Sequence, residues 1–109
     1  MKVKKINLNI VTITIFGYTF KENCSDTRNT KVKNLLLLMK EIGIRVNLWD
    51  PLILEKDHIE LNNLGINTLK STPKHVEVAF ICVQHDIFND FFKDFNGVVY
   101  DYKNPTRAK

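Results

Sequence analysis

The chain is sparing with the residues that break or staple a backbone: 4 Gly, 3 Pro and 2 Cys among 109 residues. So little glycine and proline excludes a collagen-like or low-complexity chain. The two cysteines, Cys24 and Cys82, have no CxxC spacing and form no disulfide framework. Long apolar runs are missing too. Ile6 to Phe16 is broken by Asn7, Asn9, Thr12 and Thr14, which leaves it too polar for a signal core and too short to span a bilayer. With no signal peptide ahead of it, the Asn23-Cys24-Ser25 sequon is a chance match, and the expected setting is cytoplasmic, with no membrane partner. Charge of one sign is also thin. The balance is 16 Lys+Arg against 12 Asp+Glu, net +4, and the basic residues are scattered where a nucleic-acid binder carries a dense stripe. That excludes nucleic acid as the expected partner, while a small phosphorylated ligand needs only a few cations.

What is present suits one globular domain over residues 1–109: 44% hydrophobic and 26% charged residues, in a chain long enough to bury a core without staples. Ile6 to Phe16 reads as a strand, and its half from Ile10 to Phe16 is rich enough in apolar and β-branched residues to be buried on both faces. Lys31 to Ile42 has Val32, Leu35, Leu36, Met39 and Ile42 at helical spacing, with Leu37 and Leu38 widening the stripe. Asn29 or Thr30 is the expected N-cap, and Gly43 the C-terminal left-handed residue. Ile44 to Trp49 is a second strand, stopped by Asp50-Pro51. A helix over Leu54 to Leu64 and a short extended piece at Ile66 to Leu69 follow. Val76 to Val83 is a further apolar strand. Asp86 is read as the cap of a short helix whose Ile87, Phe88, Phe91 and Phe92 share a face, and Val98 to Tyr102 as the last strand. Strands alternating with helices predict an α/β fold, a Rossmann-like open parallel sheet flanked by helices.

In such a sheet ligands sit beyond the carboxyl ends of the strands, which selects Tyr18–Arg28, Asp50, Gln84–Asp86 and Lys103. The first loop sets Lys21, Asp26 and Arg28 ahead of a helix N-terminus, a setting that favours phosphate. The other reading, with Asp26 pairing Arg28 or capping the helix and Lys21 merely solvated, stays open on these residues alone. No GxGxxG follows the first strand: Gly17-Tyr18-Thr19-Phe20-Lys21-Glu22 puts bulky side chains where a dinucleotide pyrophosphate needs bare backbone. No cofactor site, Walker A pattern or metal site is therefore expected. His58, His75 and His85 lie too far apart for a local metal motif and read as surface residues, His85 being the exception to watch because it follows a buried strand. Cys82, inside that strand, reads as an inert core thiol. Cys24 has no neighbouring histidine to act as a base, so no catalytic residue is expected. Asp50 ends the second strand, where dinucleotide folds keep a ribose-binding acid, but followed by Pro51 it reads as a turn or cap residue.

The run Phe16-Gly17-Tyr18-Thr19-Phe20-Lys21-Glu22-Asn23-Cys24-Ser25-Asp26-Thr27-Arg28-Asn29-Thr30-Lys31-Val32 resembles the signature that opens the C-terminal domain of the UDP-glucose/GDP-mannose dehydrogenase family. Its Glu-Asn-Cys variant is similar to the bacterial branch acting on UDP-N-acetylhexosamines. Val46-Asn47-Leu48-Trp49-Asp50-Pro51, Val83-Gln84-His85-Asp86-Ile87-Phe88 and Gly97-Val98-Val99-Tyr100-Asp101-Tyr102-Lys103 extend the resemblance over nearly the whole chain. It implies a domain that holds the UDP part of a UDP-sugar for an NAD-dependent 6-dehydrogenase making UDP-uronic acids for polysaccharides. The NAD-binding domain and the catalytic cysteine of such an enzyme belong to parts that this chain lacks. By the same resemblance Phe20 and Lys21 line the substrate site, with Lys21 on the phosphates. Lys103 is the late basic residue near a homodimer interface, and Asp26 and Arg28 shape the loop. Ser25 stands where the family commonly has proline, and Asn104-Pro105-Thr106-Arg107 replaces its usual glycine and aliphatic continuation. The competing expectation is a non-catalytic interaction domain with an idle ligand site.

Overall fold

The computed structural model describes residues 11–19, 23, 31–93, 95 and 97–101. They form β1 (Thr12–Phe16), α1 (Val32–Glu41), β2 (Arg45–Trp49), α2 (Glu55–Asn63), β3 (Asn67–Leu69), β4 (Val78–Ile81), α3 (Phe88–Phe92) and β5 (Val98–Asp101). The strands make one sheet in the order β3-β2-β1-β4-β5, every neighbouring pair parallel. The expected α/β class and parallel sheet are what is observed. The expected strand segment from Ile6 to Ile10 and Tyr102 lie outside the described residues, and the N-cap of α1 is Lys31, not Asn29 or Thr30 as expected.

Alternation along the central strand sorts the core into two layers. Ile13 and Ile15 of β1 face one way, joining Leu48, Val78, Val32, Leu36, Met39 and Leu61 beneath α1 and α2. Phe16 faces the other way with Trp49, Ala79, Ile81 and Val99, beneath Phe88 of α3. Phe16 meets Trp49 and Phe88 edge-on, at ring-centroid distances of 5.5 and 5.3 Å, the arrangement that aligns the positive edge of one ring with the negative face of another. Burial of β1 on both faces follows, and its Thr14 is buried with the apolar residues.

The helix ends obey local chemistry. Gly43 takes φ +89° after α1, and two bonds close the end, Ile44 N–H to the Met39 carbonyl and Gly43 N–H to that of Lys40. The same pair of bonds ends α2, from Ile66 to Leu61 and from Gly65 to Asn62. At the start of α2 the Asp57 carboxylate accepts the Leu54 N–H at 3.1 Å, which also suits the positive end of the helix dipole.

Several expectations need correction. Leu38 of α1 and Ile42, its C-cap, are exposed: α1 buries Val32, Leu36 and Met39, with Leu35 and Leu37 partly buried against the same core. Asp86 does not cap α3. Ile87 occupies the N-cap position, and it points to solvent instead of sharing the face of Phe88. His58 is buried: its Nδ1 lies 2.8 Å from Thr68 Oγ1, which donates to Asn62 Oδ1 at 3.3 Å. The hydroxyl hydrogen being spent on Asn62, His58 donates from Nδ1, and the chain of bonds ties α2 to β3.

Cys82 is the inert thiol expected. Burial, with the Asp101 charge adding a smaller part, pushes it from 9.0 up to about 12. A neutral form so favoured in the folded state contributes stability that is whole below pH 9.0 and is lost as pH rises towards about 12. Alkylation followed by peptide mapping at about pH 8 should leave Cys82 unmodified until the chain is unfolded; modification in the folded state would contradict this burial. A second outcome concerns Gly17, at φ +99°, where an added Cβ would meet the Val83 carbonyl oxygen and lie 2.7 Å from Val83 Cβ. Gly17→Ala should cost about 3 kcal/mol or more in urea unfolding, from strain and overlap together.

Candidate functional site

The strand order reverses at β1, whose flanks are β2 on one side and β4 on the other. Phe16, at the end of β1, is in register with Trp49 and with Ile81. The chain leaving β1 therefore emerges between the ends of β2 and β4, the crevice where ligands of open parallel sheets bind. It is held close on both sides. Gly17 N–H donates to the Trp49 carbonyl at 3.2 Å, while Cys82 and Val83 N–H both donate to the Phe16 carbonyl, at 2.9 and 3.3 Å. Only a residue without a side chain fits where β1 turns past Val83.

Asp50, one residue beyond β2, is 1% exposed and aims its carboxylate into this crevice. Oδ2 accepts Tyr18 N–H at 2.7 Å and Thr19 N–H at 3.3 Å, and lies 2.9 Å from His85 Nε2. Oδ1 accepts Leu52 N–H at 2.9 Å, closing a turn through Pro51. Asp50 is thus the turn residue expected and also a hub joining three loops. With both oxygens engaged inward, it is not offered to a ribose.

His85, four residues beyond β4, is fully buried, not a surface residue. Its Nδ1 accepts the Asn23 backbone N–H at 2.8 Å. A nitrogen that accepts carries no proton, so the ring is the neutral Nε2–H tautomer. That proton points at Asp50 Oδ2, with Thr19 Oγ1 at 3.1 Å sharing it. The His85–Asp50 contact is therefore a hydrogen bond from a neutral ring to a carboxylate. Asn23 sits at φ 55°, in the left-handed region that asparagine tolerates better than other side chains. Its Oδ1 accepts the Asp86 N–H at 2.8 Å. The sequon asparagine is thereby committed to an internal bond.

Of the residues proposed from sequence, Phe20, Lys21, Asp26, Arg28 and Lys103 lie outside the described residues, as does Cys24. Described are the anchors on either side of the first pair, Thr19 and Asn23. Tyr18 turns its ring into the core beneath α2, and burial, then the charges of Glu60 and Asp57, push its phenol from 10.0 up to about 12. It keeps its proton near neutrality. Lys31 stands at the N-cap position of α1 and provides no side-chain cap. Among the described residues no group of three His, Cys, Asp or Glu side chains could hold a metal, and no helix is long and apolar enough to cross a membrane. A separate concavity of about 530 Å³ lies at the opposite, amino ends of β4 and β5, lined by Lys74, Glu77, Asp90, Phe91 and Phe95. It is wide open and shares no residue with the Asp50–His85 network.

The signals for the network were in the sequence singly, as an acid ending one strand and a histidine following another. Their partnership was not. The two are 35 residues apart in the chain, and only the placement of β2 and β4 on either side of β1 brings them together.

The profile described as the UDP-glucose/GDP-mannose dehydrogenase family, UDP binding domain, matches residues 14–107. The UDP-N-acetyl-D-mannosamine dehydrogenase of Methanococcus maripaludis is 29% identical over 94% of this chain and 25% of its own length. The UDP-N-acetyl-D-glucosamine 6-dehydrogenase of Salmonella typhi is 30% identical over 92% of the chain and again 25% of its own length. The chain thus spans about a quarter of these relatives. Among solved structures, the UDP-glucose dehydrogenase of Pyrobaculum islandicum shares the fold, with a TM-score of 0.70 at 24% identity over 86% of this chain and 22% of that one. By the profile match over most of its length, the chain belongs to the UDP-glucose/GDP-mannose dehydrogenase family, as its UDP-binding domain.

Proposed function

We propose that this domain grips the uridine diphosphate of a UDP-sugar at the carboxyl ends of β1 and β4. In this reading it is the substrate-holding part of an NAD-dependent UDP-sugar 6-dehydrogenase that makes uronic acids for polysaccharide synthesis in the cytoplasm. NAD and the catalytic cysteine belong to regions beyond these residues, and the working assembly is a homodimer. Phe20 lines the nucleotide site, Lys21 and Lys103 bring positive charge to the phosphates and sugar, and Asp26 and Arg28 shape the loop between them.

The observation that carries this proposal is the double anchoring of the first loop. Thr19 and Asn23 both bond to the His85 ring, so the three residues between them, Phe20 and Lys21 included, start and finish at fixed points in the crevice. A buried scaffold that fixes both flanks of the segment carrying Lys21 suits a phosphate site, because fixed flanks leave less entropy to lose on binding. The chemistry of the described residues agrees with a holding role: the Cys82 thiol and the Tyr18 phenol are both pushed up to about 12 by burial, which leaves neither as a nucleophile or proton carrier at neutral pH.

Charge-assisted hydrogen bonds contribute about 1.5–3 kcal/mol each, and three of them give roughly 5–9 kcal/mol against an association cost of about 4–15 kcal/mol. The domain alone should therefore bind UDP no more tightly than about millimolar. Titrating UDP into the isotope-labelled chain should shift the amides of Tyr18, Thr19 and Asn23, with no matching response to NAD. Lys21→Ala should abolish the shifts. Silence from wild type at tens of millimolar, or shifts confined to the Phe91–Phe95 side of the sheet, would favour an interaction domain instead.

A further inference from the structure

We infer that His85 is a positioning residue for nucleotide binding, acting through Asn23: its bare Nδ1 sets the far end of the segment that carries Phe20 and Lys21. This rests on the UDP-binding reading above and adds a named residue and a named atom to it.

The ring is unusually constrained for a side chain outside the strands. It is fully buried, packs on Phe88 at a centroid distance of 5.2 Å, and uses both nitrogens. Its backbone is fixed as well. The His85 carbonyl accepts Phe88 N–H at 3.0 Å and Gln84 Nε2 at 3.1 Å. The two ring nitrogens serve different ends of the loop. Nε2 faces Asp50 and Thr19, where Asp50 already holds the Tyr18 and Thr19 backbone N–H groups without help from the ring. Nδ1 faces Asn23, whose backbone N–H has no other acceptor among the described contacts. The near end of the loop is thus secured twice, while among the described contacts the far end is held by Nδ1 and by the exposed bond from Asp86 N–H to Asn23 Oδ1. Loss of the Nδ1 bond would free Asn23 from its left-handed conformation and return to the segment the freedom that binding must then remove.

A histidine conserved in shape but split in function tests this. In His85→Asn the side-chain oxygen takes the place of Nδ1 and keeps an acceptor for Asn23, while the contact with Asp50 is lost. In His85→Gln the amide reaches to the place of Nε2 and keeps a donor for Asp50, while Asn23 loses its acceptor. With each full-length chain folded, as judged by its amide spectrum, UDP binding should weaken about tenfold in His85→Gln and by no more than about threefold in His85→Asn, the range expected for one hydrogen bond. A role in stability alone predicts equal weakening, or the reverse order, and either result overturns the assignment. A measurement on wild type stands apart from both variants: a scalar coupling through the hydrogen bond between the Asn23 amide nitrogen and His85 Nδ1. Its presence is expected, and its absence refutes the clasp whatever UDP does. If the coupling is present and wild type ignores UDP, the nucleotide reading fails and the positioning role falls with it, while the clasp itself stands.

Discussion

A single buried carboxylate organises the working edge of this domain. Asp50 draws together Tyr18 and Thr19 from the loop after β1, Leu52 from its own loop and His85 from the loop after β4. A carboxylate out of water is tolerable only when its acceptor sites are filled. Those bonds are therefore a condition of folding at this edge as well as a consequence of it. Because the donors come from three different loops, filling the sites fixes those loops relative to one another. The mouth of the crevice inherits its shape from that requirement.

The two layers beneath serve the same end. Phe16 locks the end of β1 into the aromatic cluster on one face, and Ile15 into the aliphatic layer on the other, so the strand cannot slip. A register shift of one residue would exchange these faces and carry Gly17 away from Val83, where nothing larger fits. The point at which the chain leaves β1 is thus set by the packing of the strand residues just before it. The buried thiol and phenol near this edge are held neutral, and what remains is a scaffold suited to holding a ligand.

Much of the fold was legible in the sequence because its cues are local. The period of α1, the glycine closing it, and the apolar runs of β1, β2 and β4 each announce an element without reference to the rest. Local cues also explain the errors. Leu38 and Ile42 continue a helical stripe in the sequence, yet the width of that stripe under a sheet depends on how the helix is turned, which the period does not encode. His58 and His85 read as surface residues because a polar side chain is costly to bury alone. What makes each one affordable is a partner distant in sequence, Thr68 for one and Asp50 with Asn23 for the other. The long motif around Phe20 and Lys21 named the family, and the geometry that serves it depended on the order of the strands.

The dependence on Asp50 is open to direct test by Asp50→Asn, which keeps the shape of the side chain and replaces one accepting oxygen with a donor. Amide hydrogen exchange should show protection lost together at Tyr18, Thr19 and Leu52, with global stability lower by about 3 kcal/mol. Unchanged protection at those three amides would contradict the account.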